Sequence, residues 1–152
     1  MAQDKSIQIR DRLISTIGAI TSGTEYNCTI AKATADNVSA SEPDDTPFAV
    51  IDSERDEYED TASKCIRAIS YYNISVKDKS PLDDDYQQKQ GLIAVDIKKA
   101  IQRDSTLQNA QGGLAIRTQV TRIDKTLADD EGWFAIVLLV EARYFITFRE
   151  GN

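Results

Sequence analysis

The first chemical fact about this chain is what it lacks: among 152 residues there is no histidine. That removes Ser-His-Asp and Cys-His nucleophilic sites, histidine acid–base work and nearly all zinc and iron sites. No Gly-x-Gly-x-x-Gly and no Gly-rich phosphate loop occurs. Cys28 and Cys65 sit singly, without Cys-x-x-Cys spacing, and read as buried free thiols rather than a disulfide. Carboxylates are what remain. Asp52, Glu54 and Asp56 imitate the opening of a calcium loop, but Glu57 stands where that loop needs Gly. Ser63 stands where it needs a bidentate Glu. Crowded acids of this kind are usually solvated, and weak divalent-cation binding is the most they suggest. The expectation is a protein that is not an enzyme, with no cofactor and no dedicated metal site.

Charge distribution narrows the partners. The net charge is −7, yet residues 42–60 hold nine acids against the single base Arg55. No basic stripe interleaved with aromatics exists to grip phosphates, so tight nucleic-acid binding is not expected. The longest apolar run, Trp133 to Val140, is shorter than the ~20 residues a membrane-spanning helix needs. The N-terminus lacks the basic-then-apolar order of a signal peptide, so the expected site of synthesis is the cytoplasm.

The elements that would position any site are clearest at the C-terminus. From Trp133 to Phe148, alternate positions carry Phe134, Ile136, Leu138, Val140, Ala142, Tyr144, Ile146 and Phe148. A period of two with β-branched and aromatic residues predicts one long strand. Its other face is apolar at Trp133, Ala135, Val137 and Leu139, which predicts cover on both faces of the first half. At ~3.4 Å per residue such a strand spans roughly 50 Å, so its far end could reach a partner.

Elsewhere, Ile9, Leu13, Ile17 and Ile20 share one arc of a helix over residues 6–20, with Gly23 available as a left-handed cap. Tyr26 to Ala33 alternates as a first strand, and Pro47 to Ile51 reads as a short one. Between them lies a polar loop with Pro43. An acidic hinge over 52–63 then leads to a strand over 64–77, whose inner face holds Ile66, Ala68, Tyr72, Ile74 and Val76. Asp78-Lys79 reads as a turn. Ser80-Pro81-Leu82-Asp83 carries the signature of a helix start, a Ser cap followed by Pro, and the helix should run to about Arg103. Its buried arc is Tyr86, Ile93, Ile97, Ala100 and Ile101. Leu92 and Val95 form a second, smaller arc that either packs under the sheet's edge or meets another subunit. Gly112-Gly113 reads as a turn before a strand from Leu114 to about Thr126. Asp129 to Gly132 then turns the chain into the long strand as an antiparallel hairpin. The expected fold is α+β: a mostly antiparallel sheet with two main helices on one face and a long C-terminal strand, one domain over 1–152.

Taken in order, these pieces resemble the tail terminator (tail completion) proteins of long-tailed bacteriophages. The resemblance rests on the N-terminal helix, the acidic loop running into Pro47 to Ile51, and the Ser80-Pro81-Leu82-Asp83 helix start. It also rests on Val95-Asp96-Ile97 through Ala100-Ile101 to Asp104-Ser105-Thr106-Leu107, and on Val140-Glu141-Ala142-Arg143-Tyr144 in the last strand. One departure is visible: Gln108 to Gln111 intervene before Gly112-Gly113, where the family pattern has glycines almost directly after Thr-Leu. The resemblance implies a structural virion protein that caps the tail tube as a homo-hexameric ring and forms the surface joining tail to head. The implied partners are copies of itself, the tail tube protein and a head completion or connector protein. DNA would pass through without specific binding, and no membrane is involved. On this reading Leu92, Val95, Arg143 and Phe145 are candidate subunit-interface residues. Asp44, Asp45, Asp56 and Glu57 are candidates for an acidic wall facing the bore, which would repel DNA because binding needs cationic contacts to phosphate. The alternatives are another neck or head–tail joining component, and a cytoplasmic α+β ligand-binding module.

Overall fold

A computed structural model describes residues 4–35, 45–60, 65–81, 85–104, 108–109, 112–113, 115 and 117–147. The polar loop around Pro43, and with it Asp44, lies outside them, as do Leu82, Asp83, Leu107, Leu114 and Ile116. Helix α1 covers Lys5–Gly18, and Asp4 caps it by accepting from the Ser6 amide at 2.9 Å. Its Ile9, Leu13 and Ile17 are fully buried, at the spacing of one helical face. Helix α2 covers Tyr86–Arg103. Strands β1 (Lys32–Thr34), β2 (Phe48–Asp60), β3 (Cys65–Lys79), β6 (Arg117–Lys125) and β7 (Trp133–Thr147) make one sheet in the order β1-β2-β3-β7-β6. Every pairing in it is antiparallel except β1 with β2. A separate small pair joins β4 (Gln108–Asn109) to β5 (Gly112–Gly113).

The fold class is the expected α+β, and the long strand is the spine of the sheet. All fifteen residues of β7 pair with β3, and its middle also pairs with β6. Being central, β7 offers no free edge over most of its length. Phe134, Ile136, Leu138, Val140, Ala142 and Tyr144 are buried beneath the helices together with Ala68, Tyr72, Ile74 and Val76 of β3. Cover on both faces is not found: Ala135, Val137 and Leu139 are only half-buried, because both helices pack on the even-numbered face.

Several boundaries differ from expectation for local reasons. Residues 26–31 do not form a strand, because the Asn27 and Cys28 amides donate to the Asp96 side chain and the Ile30 amide to the Ile20 carbonyl. Gly23 has φ 87° but does not cap α1; Ala19 does, and Gly23 belongs to the turn that follows. The acidic hinge is not a hinge, since β2 continues through it to Asp60, paired with β3 throughout apart from a bulge near Ser53. Asp78-Lys79 is the end of β3 rather than a turn, and pairs with Phe134 and Trp133. Ser80 caps no helix: its amide donates to the Gly132 carbonyl at 3.0 Å. Asp85 is the cap instead, accepting from the Gln87 and Gln88 amides. Gly112-Gly113 forms the second arm of the small pair, not its turn.

Candidate assembly surfaces

Helix α2 is fixed by polar bolts as well as by its apolar arc. The buried Gln90 amide donates to the carbonyls of Thr126 (2.9 Å) and Ala135 (3.1 Å), which ties the helix to the β6–β7 hairpin. Asp96 is fully buried and accepts from the Asn27 amide, the Asn27 side chain and the Cys28 amide at 2.8–3.1 Å. A carboxylate so fully satisfied organises the loop before β1 and is not poised to act on a substrate. At the helix C-terminus, Asp104 accepts from Arg12 (2.8 Å) and Thr16 (3.0 Å) of α1.

With Ile93, Ala94, Ile97, Ala100 and Ile101 turned inward, Leu92 and Val95 must point elsewhere. They are 40% and 56% exposed, so neither is packed under the sheet's edge in this chain. An open groove of about 590 Å³ runs between α2 and β6, with Leu92, Val95 and Ile123 as its apolar part and Lys98 and Lys125 as its cations. Arg143 and Phe145 project from the opposite, helix-free face of the sheet. Arg143 donates to Glu141 at 2.7 Å, and Phe145 is 41% exposed. The four interface candidates therefore fall into two patches on opposite sides of the molecule, not one.

The acidic candidates also separate. Asp44 lies outside the described residues, and Asp45 is exposed just before β2. Asp56 and Glu57 are neighbours on a strand and project to opposite faces. Asp56 accepts from Ser70 at 2.5 Å, and Ser70 is 2.7 Å from the Tyr144 hydroxyl. Glu57 accepts from the Tyr71 hydroxyl (3.1 Å) and from Arg55, whose guanidinium lies 4.3 Å from the centre of the Tyr71 ring. The Asp52, Glu54 and Asp56 carboxylates are strung along an extended strand instead of wrapping one centre. Among the described residues no group of three or more metal-ligating side chains comes together.

Cys28 is a free thiol, pushed up from 9.0 to about 12 by burial first, then by its hydrogen bond to Asp96 and that residue's charge. Thiols react as thiolates. Alkylation of Cys28 by iodoacetamide at pH 8 should therefore be at least about tenfold slower in the folded protein than in urea, read by mass spectrometry of the peptide. The folded value lies above the unfolded one, so the stabilisation is complete below pH 9 and is lost as pH rises toward about 12. Tyr144, raised to about 12 mainly by burial, adds to the same alkaline loss.

Sequence reasoning missed Ile123, Lys98 and Lys125 as parts of the groove, and Tyr58, an aromatic 59% exposed on β2. A tyrosine amid acids was the only signal for the last. The lysines gave none, since nothing local shows that α2 lies against β6.

No family model matches the chain, and no curated protein matches it. Among solved structures it is similar to a chain from the virion of a native gene transfer agent (GTA) particle. The likeness is at 14% identity and a TM-score of 0.48, over 91% of this chain and 88% of that one. A likeness that slight says nothing of what this chain does.

Proposed function

We propose that this chain is a structural protein of a long-tailed phage virion: a tail terminator that closes the growing tail tube as a homo-hexameric ring and presents the surface that joins the head. The observation that carries the reading is the apolar pair Leu92 and Val95, held in the open on α2 by a helix whose other face is fully engaged. A head-to-tail ring needs two different patches on each subunit, and the exposed α2 groove supplies one of them. The resemblance in element order supports the same reading. Its partners are the tail tube protein on one side and a head completion or connector protein on the other, with DNA passing through the bore. Because Asp56 and Glu57 lie on opposite faces of β2, one wall does not present both. We keep the bore assignment for Asp44 and Asp45, which precede the strand.

Light scattering of the purified protein, with and without magnesium and with and without purified tail tubes, tests this. A ring in any of these conditions is the expected result, and a species that stays monomeric in all of them removes the reading. A ring that ignores tail tubes points to another neck or head–tail joining component. The volume of the groove falls within the roughly 300–1,000 Å³ of small-molecule sites, which is the observation favouring a ligand-binding module. A monomer whose melting temperature rises with apolar small molecules would support that rival.

A further inference from the structure

The sheet ends in two open edges. β2 pairs with β1 only at Phe48, Ala49 and Val50, so from Ile51 to Asp60 its outer side has no strand beside it among the described residues. β6 has β7 on one side and no described strand on the other. Such edges template further pairing unless something prevents it. These two carry opposite charge. The β2 edge bears Asp52, Glu54, Asp56, Glu57 and Glu59 against Arg55. The β6 edge bears Arg117, Arg122 and Lys125 against Asp124, and Lys98 of α2 lines the groove beside it.

The faces correspond as well. Tyr58 stands opposite Ala68, which is buried under the helices, so Tyr58 projects on the helix side of the sheet. Ile123 stands opposite Leu138 and Lys125 opposite Ile136, which sets the apolar groove on that same side. Glu57 and Glu59 stand opposite Ile69 and Arg67 and project on the helix-free side. Arg117 and Arg122, opposite Arg143 and Leu139, project there too. A sheet continued from one copy into the next brings Tyr58 over the groove on one face. On the other face it brings Glu57 and Glu59 toward the arginines.

We propose that the outer half of β2 in one copy docks against the β6 edge and α2 groove of a second copy, with Tyr58 as the side chain that fills the groove. This rests on the ring reading and adds to it the identity of the surfaces that meet. The contact joins unlike edges, so it propagates head to tail and leaves neither of these two stretches free in a closed ring. Charge complementarity fixes which edge meets which and disfavours like edges meeting.

Two charge-reversed proteins test it: Glu57→Lys with Glu59→Lys, and Arg117→Glu with Arg122→Glu. All four positions are exposed, so each variant should still melt cooperatively, although Glu57 and Glu59 give up their surface partners Arg55 and Arg67. Alone, each should stay monomeric where the wild type forms rings. An equal mixture of the two should regain the wild-type mass by light scattering, because normal meets normal and reversed meets reversed. Tyr58→Ser should raise the protein concentration needed for assembly by at least about tenfold with the melting temperature unchanged. Reversed variants that assemble as the wild type does, or a mixture that stays monomeric, overturn this pairing and leave the ring reading standing. Wild-type protein that stays monomeric even on tail tubes removes both.

Discussion

Gly132→Ala is expected to lower the unfolding free energy by more than about 3 kcal/mol, read by urea denaturation. Gly132 has φ 91°, and a Cβ placed on it would stand against the Ser80 carbonyl oxygen at 2.1 Å. That oxygen is backbone and cannot rotate away. It is held in place because the Ser80 amide donates to the Gly132 carbonyl at 3.0 Å. An alanine there separates the end of β3 from the turn into β7, a turn that Asp129 organises by accepting from the Glu131 and Trp133 amides at 2.9 Å each. Gly23→Ala is the control. Its φ of 87° is similar, but nothing lies within 4 Å of the added Cβ, so only the left-handed penalty of about 1–2 kcal/mol applies. Equal costs at the two positions would mean that the close approach to Ser80 is not made in solution.

Leu138→Asp is expected to abolish cooperative folding altogether. Leu138 is fully buried at the centre of β7, opposite Ile74 on one side and Ile123 on the other. An unpaired carboxylate there costs several kcal/mol, on the order of a domain's entire stability of about 5–15 kcal/mol. Loss of the cooperative melt by circular dichroism is the expected result, and the same holds for the neighbouring inward position in Ile136→Asp. A soluble, cooperatively melting Leu138→Asp protein would mean that β7 is not the centre of the core.

What the sequence made legible follows from where periodicity decides structure. β7, β3 and the arcs of α1 and α2 were readable because burial on one face repeats every two residues or every 3.6. The start of α2 is not legible locally because a Ser-Pro pair and three successive aspartates offer competing caps, and only tertiary contact decides among them. Ser80 is drawn away by Gly132, which leaves the cap to Asp85. The acidic run reads as a hinge because strand propensity is low for Asp and Glu, yet pairing with β3 holds it extended. Residues 26–31 depart in the opposite sense, only Lys32 and Ala33 of the expected strand joining β1: the alternation is real, but a buried aspartate 69 residues away takes the Asn27 amide. The groove was half legible. Leu92 and Val95 stood out as a second arc on the helix wheel, while Ile123 and Lys125 join them only because α2 lies against β6.

The most direct test is the mass of the assembly formed by Leu92→Glu and by Val95→Glu. Both side chains stand in the open in this chain, so each variant should melt as the wild type does while its light-scattering mass falls from that of a ring to that of one chain. Rings of unchanged mass in both variants would contradict the claim that the exposed face of α2 is where one copy meets the next.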